Sequence, residues 1–188
     1  QYQQRTERLY DSLLSISSAS QFLQKLSVRK DRASLDFDQR ERAALASALE
    51  KYMSSMSASQ TATLISCLGT FTSSRTNWRS GEEESGASQV GQLKRHLLKV
   101  SSQLSASDMA ATVSGLARMN LDWQRTFPNN KNSFTSRLTS LLLGSPREDT
   151  GEDVKRVSRG ISGALLGDVI WGLGSMNARL NVLPRSTR

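Results

Sequence analysis

The chain has 188 residues, 37% of them hydrophobic, and carries a formal charge of +8 at pH 7. Its one cysteine, Cys67, and one histidine, His96, exclude an internal disulfide framework and a His/Cys metal cluster. No apolar run approaches the roughly 20 residues of a membrane-spanning helix. The hydrophobic share suffices for a core, and the positive charge favours a polyanionic partner, RNA ahead of a lipid surface.

The chain opens on Gln1 with no signal-peptide pattern and closes on the basic PRSTR, as expected of a processed chain or a piece of a longer one. Residues 1–35, with LYDSLLSISSASQFLQKL from Leu9, read as N-terminal capping helices or a degenerate repeat. The next segment, 36–71, reads as repeat 1. It opens with RERAALASALEKYM from Arg40, whose apolar residues fall at helical spacing, and Asp38 precedes Glu41 by three residues as a capping box. Ser57 and Gln60 form a second serine-led capping pattern, so a second helix is expected through LISCLGTF.

After an acidic flexible linker, 72–87, the pattern returns 48 positions on as repeat 2, 88–123. QLKRHLLKVSSQL from Gln92 supplies the first helix, and Ser105 with Asp108 caps the second. Ser57-Ala58-Ser59 falls on Ser105-Ala106-Ser107, while Leu45, Leu49 and Leu68 fall on Leu93, Leu97 and Leu116. A match that spans two helices and the link between them is an internal repeat.

Repeat 3, 124–180, starts with NSFTSRLTSLLL from Asn132, carries a polar inserted loop at 144–160, and ends in VIWGLGSM from Val169. A basic tail, 181–188, follows. In this frame Leu68, Leu116 and Leu173 share one column, Gly69, Ala117 and Gly174 another, and Phe71, Met119 and Met176 a third. Glycine inside a helix costs about 1 kcal/mol relative to alanine. Gly69, Gly115, Gly172 and Gly174 are therefore expected where neighbouring backbones approach closely. The expected fold is all-α, an α-solenoid of stacked helical hairpins without a sheet.

No phosphate-binding loop, dinucleotide fingerprint or zinc-ligand spacing occurs, and His96 lies on an amphipathic helix with no catalytic motif around it. No catalytic residue, metal site, cofactor or small-molecule substrate is expected. Cys67 reads as a small buried residue, and the acids at 82–84 and 148–153 as solvated loop charge. Trp78 and Trp123, just past the second helices, fit packing better than base stacking. Between Lys94 and Arg137 seven bases face two acids, which makes Lys94, Arg95, Lys99, Arg118, Arg125, Lys131 and Arg137 the expected phosphate-facing set. Arg95 and Lys99, four apart, share a helix face away from the leucines.

The segment LLGDVIWGLGSMN from Leu165 resembles the signature helix of octotricopeptide and heptatricopeptide repeats, through Val169, Ile170, Trp171, Gly172, Leu173, Gly174 and Met176. Leu116, Ala117 and Met119 carry it in the middle unit, where Ser114 stands in place of the tryptophan. The resemblance implies a helical-hairpin protein of mitochondria, or alternatively plastids, acting in RNA processing, translation or ribosome assembly beside neighbouring proteins of a ribonucleoprotein. The Ser/Arg-rich style with acidic insertions is similar to that of apicomplexan mitochondrial proteins that bind fragmented ribosomal RNA. The alternative is a protein-interaction scaffold subunit of a large organellar complex.

Overall fold

A computed structural model of the chain describes residues 16–30, 39–72, 89–128, 132–143 and 162–178. Among these residues every regular element is helical, no strand occurs, and the fold is all-α. In chain order the helices are α1 (Ala19–Lys30), α2 (Gln39–Tyr52), α3 (Ala58–Thr72), α4 (Gln89–Val100), α5 (Ala106–Arg118), the single turn α6 (Trp123–Thr126), α7 (Ser133–Leu143) and α8 (Gly163–Ser175). Short 3-10 turns, Met53–Ser55 and Ser101–Gln103, join α2 to α3 and α4 to α5.

The repeated serine signals start helices as their chemistry requires. Ser57 Oγ accepts from the Gln60 amide at 3.3 Å, and the Gln60 side chain accepts from the Ser57 amide at 2.9 Å. Ser105 and Asp108 exchange the same two bonds at 3.2 Å each. Each pair satisfies two backbone N–H groups that the first helical turn leaves without partners. α1 begins similarly, with the Gln21 amide donating to Ser18 Oγ at 3.3 Å. Its Ser18-Ala19-Ser20-Gln21 is identical to Ser57-Ala58-Ser59-Gln60, and the Gln60 side-chain amide donates to Ser20 Oγ at 3.0 Å. Asp38, the expected cap of α2, and Trp78 lie outside the described residues, as do both acidic runs.

Two helix ends are also written twice. Asn120 and Asn177, each after a methionine, both adopt a φ of 55°. Their amides donate to Ala117 O and Gly174 O, and those of Leu121 and Ala178 to Leu116 O and Leu173 O. This is the paired 6→1 and 5→2 bonding that closes a helix on a left-handed residue, and asparagine tolerates that conformation better than other non-glycine residues.

α1, α3, α5 and α8 pack against one another in that order, and α4 lies between α2 and α7 in a second succession. Leu68, Leu116 and Leu173 are buried, as are Phe71, Met119 and Met176. The repeat columns thus mark equivalent core positions. A methyl group on Gly115 would sit 2.6 Å from Ile65 O, one on Gly69 would sit 2.5 Å from Gly115 O, and one on Gly172 would sit 2.6 Å from Val113 Cγ1. All three glycines let one backbone lie directly on the next. Cys67, in the Gly115 and Gly172 column, is buried, with its sulfur 3.7 Å from Ser27 Oγ of α1. Gly174 departs from the expectation, because nothing lies within 4 Å of where its Cβ would be. No described helix follows α8 to pack against that side.

Two substitutions separate these environments. Gly115→Ala is expected to lower unfolding free energy by about 1 to 3 kcal/mol through overpacking against backbone that cannot rotate away. Gly167→Ala, on the open side of α8 with nothing within 4 Å, should raise it by up to about 1 kcal/mol through helix propensity. Urea unfolding of the two variants beside the parent chain checks both signs.

Candidate nucleic-acid interface

α4 has two sharply different sides. Leu93, His96, Leu97 and Val100 are buried, Lys94 is half-buried, and Arg95 and Lys99 lie on the side turned away from these. The 3.6-residue period puts the last two, four positions apart, on one face, with Arg95 exposed and Lys99 exposed beside it. Two cations one turn apart, on a helix anchored by its leucines, can reach successive phosphates without disturbing the core. Lys99 also stands in the last turn of α4, where a positive charge complements the helix dipole.

Arg137 is placed differently. Its half-buried side chain donates from Nε to Leu104 O at 2.9 Å, across to the residue that ends the 3-10 turn between α4 and α5. His96 makes the matching contact one unit earlier, with Nε2 3.1 Å from Met56 O, which ends the turn between α2 and α3. Met56 and Leu104 are 48 positions apart, like the other equivalent residues of the first two units. α4 and α7 therefore each reach back with a side-chain nitrogen to the residue that ends the preceding 3-10 turn, satisfying a backbone carbonyl there. Around this contact, burial disfavours the charged imidazolium and lowers the His96 pKa from 6.5, against the opposing pull of the Met56 carbonyl; the Lys99 charge adds to the lowering.

The remaining bases fall elsewhere. Arg118, exposed in the last turn of α5, holds its guanidinium 6.0 Å from the ring centre of Trp171, a cation over an aromatic face. Arg125 is exposed on α6, whose start is capped by Asp122 Oδ1 accepting from the Arg125 amide at 3.1 Å. Lys131 lies outside the described residues. Lys94, Arg95 and Lys99 thus share α4, with Arg137 on the adjoining α7, while Arg118 sits where α5 meets α8. Trp123 is fully buried and packs with Phe127 and Phe134 at centroid distances of 4.9 and 6.2 Å, which is the packing role expected of it.

Trp171 is the residue that the charge pattern alone does not select. It is 51% exposed, and it occupies the column of Ser66 and Ser114, both only half-buried. That serine column is itself the signal of a surface position. Among the described residues no group of three or more His, Cys, Asp or Glu side chains could hold a metal ion, and no helix is long and apolar enough to cross a membrane. No family model matches the chain, and neither does any curated protein or solved structure.

His96 gives the site a pH signature. With a folded pKa below the unfolded 6.5, the unfolded chain binds the proton more readily. The contribution to stability is full above pH 6.5 and is lost as pH falls through the folded value. Replacing it in His96→Gln should flatten the stability profile below pH 6.5 relative to the parent, as read by urea unfolding at closely spaced pH values.

Proposed function

We propose that this chain is a non-catalytic RNA-binding protein, an α-solenoid of helical hairpins that grips phosphates through a basic face. The observation that carries this proposal is the exposed Arg95 and Lys99 pair on α4, opposite the buried Leu93 and Leu97, in a chain of net charge +8. The succession α1, α3, α5, α8 beside α2, α4, α7 supports the solenoid arrangement, since each helix meets its counterpart in the neighbouring unit. Phosphate gripping needs no cofactor or catalytic group, only cations held on a rigid support. Lys94 adds to the α4 face, and Arg118, Arg125, Lys131 and Arg137 extend the set, with Arg137 committed in part to Leu104 O.

The resemblance of the Val169–Met176 segment to octotricopeptide and heptatricopeptide repeats favours an organellar role, in the mitochondrion or alternatively a plastid. There the protein would serve a ribosome or RNA-processing assembly, with ribosomal RNA and neighbouring proteins as its partners. A second reading, a protein-interaction scaffold, is favoured by the exposed Leu166, Ile170 and Trp171 on α8.

Salt dependence separates the two. Arg95→Gln with Lys99→Gln should weaken binding to unrelated single-stranded RNAs alike, and lower the slope of log affinity against log salt by roughly 1.4 units, at about 0.7 for each phosphate no longer neutralised on a single strand. Helix content should be unchanged, because both side chains are exposed. Unchanged affinity and slope in a folded double variant would reject the α4 face as the RNA surface and favour the scaffold.

A further inference from the structure

Trp171 sits on a different side of α8 from the other exposed apolar residues. By the helical period it lies about 100° around the axis from Ile170 and about 140° from Leu166, and it turns toward α5. There the Arg118 guanidinium stands 6.0 Å from its ring centre, and Ser114 Oγ donates to Asp168 O at 3.4 Å. The ring is nonetheless half exposed. Its place is fixed by its neighbours, since Val169, Gly172 and Leu173 are buried and Gly172 holds α8 directly against Val113 of α5.

The surface around this pair is polar. In the repeat frame the column of Trp171 runs back through Ser114 and Ser66, and that of Arg118 runs back to Thr70 and on to Ser175. Ser66, Thr70 and Ser114 are half-buried, and Ser175 is exposed. One large ring thus stands among hydroxyl groups, with a cation against it. A partner protein docking through hydrophobic contact needs apolar flanks, whereas this side of α8 offers Ala164, Asp168 and Ser175. A nucleotide of single-stranded RNA needs what is present: an aromatic face for its base, a guanidinium for the adjoining phosphate and hydroxyls for sugar and base edges. Asp168, one turn before Trp171, repels phosphate from that end and leaves the Arg118 end to receive it.

We propose that Trp171 and Arg118 form a subsite for single-stranded RNA, in which an unpaired base stacks on the indole and Arg118 holds the phosphate beside it. This rests on the RNA-binding reading and adds to it a contact with a base, where Arg95 and Lys99 of α4 address phosphates alone. Every base has a π-face, so the subsite selects unpaired strands over duplexes rather than one sequence over another.

Fluorescence titration of the full chain tests this, with an oligoadenylate of about 12 nucleotides, within the span of a single-strand groove, beside an abasic ribose-phosphate chain of the same length. Stacking should quench the emission of Trp171, read as the difference between the parent and Trp171→Phe. Trp171→Ala should weaken oligoadenylate binding about five-fold or more, and leave abasic-chain binding, salt slope and helix content unchanged. Trp171→Phe, which keeps an aromatic face, should retain most of the affinity. Arg118→Gln should lower the salt slope by about 0.7. Trp171→Ala that binds oligoadenylate like the parent, or that loses both chains equally, would overturn the subsite while leaving the phosphate grip of α4 intact. So would a parent whose Trp171 emission is unquenched at saturation. A parent that binds neither chain would overturn the RNA-binding reading itself, and the subsite with it.

Discussion

Backbone lying directly on backbone governs the packing of α3, α5 and α8. Gly69 and Gly115 face the same gap from opposite helices, and Gly172 repeats the arrangement against Val113. At such separations a side chain as small as a methyl group would have to displace peptide atoms, which cannot turn aside as a flexible side chain can. In return, the close approach brings the flanking Leu68, Leu116, Leu173, Ile65 and Val113 into a buried core despite the modest aromatic content of the chain. The helix propensity sacrificed at the glycines is thereby offset by dispersion attraction along the helices they join.

The second succession of helices depends on a different device. Of its members, α4 and α7 are tied back to the preceding turns by His96 to Met56 O and Arg137 to Leu104 O. These tethers also fix how α4 and α7 face outward. With Leu93, His96 and Leu97 held inside, Arg95 and Lys99 are turned toward water. Charge display and inter-unit connection are thus properties of the same short helix, and the lone histidine is a structural tether.

Much of this is legible in the sequence because the signals are local. Serine followed three residues later by an amide or acid predicts helix starts, and the aligned leucines predict the core columns. The same kind of signal, SASQ at Ser18, also stands at the start of α1, and the Met-Asn pairs at 119–120 and 176–177 mark the left-handed helix ends. Other features require the fold. Gly174 shares its column with Gly69, yet a column cannot reveal whether the next helix is present to use it. In sequence Arg137 is one more positive charge, and only the fold sets it beside the turn carbonyl of Leu104, 33 residues away. Arg118 and Trp171 are far apart in sequence and meet only because Gly172 lets α8 settle onto α5.

The governing role of the glycine packing is tested most directly by a double-mutant cycle on Gly69→Ala and Gly115→Ala, measured by urea unfolding. If both methyl groups enter one backbone gap, the first substitution wedges the helices apart and the second then costs little. The double variant should accordingly be destabilised less than the two single effects combined, by about 1 kcal/mol or more, as expected for residues sharing a backbone shift. Effects that add to within about 0.5 kcal/mol, the behaviour of independent sites, would contradict a shared gap and with it the packing of α3 on α5 as the organising interaction of the fold.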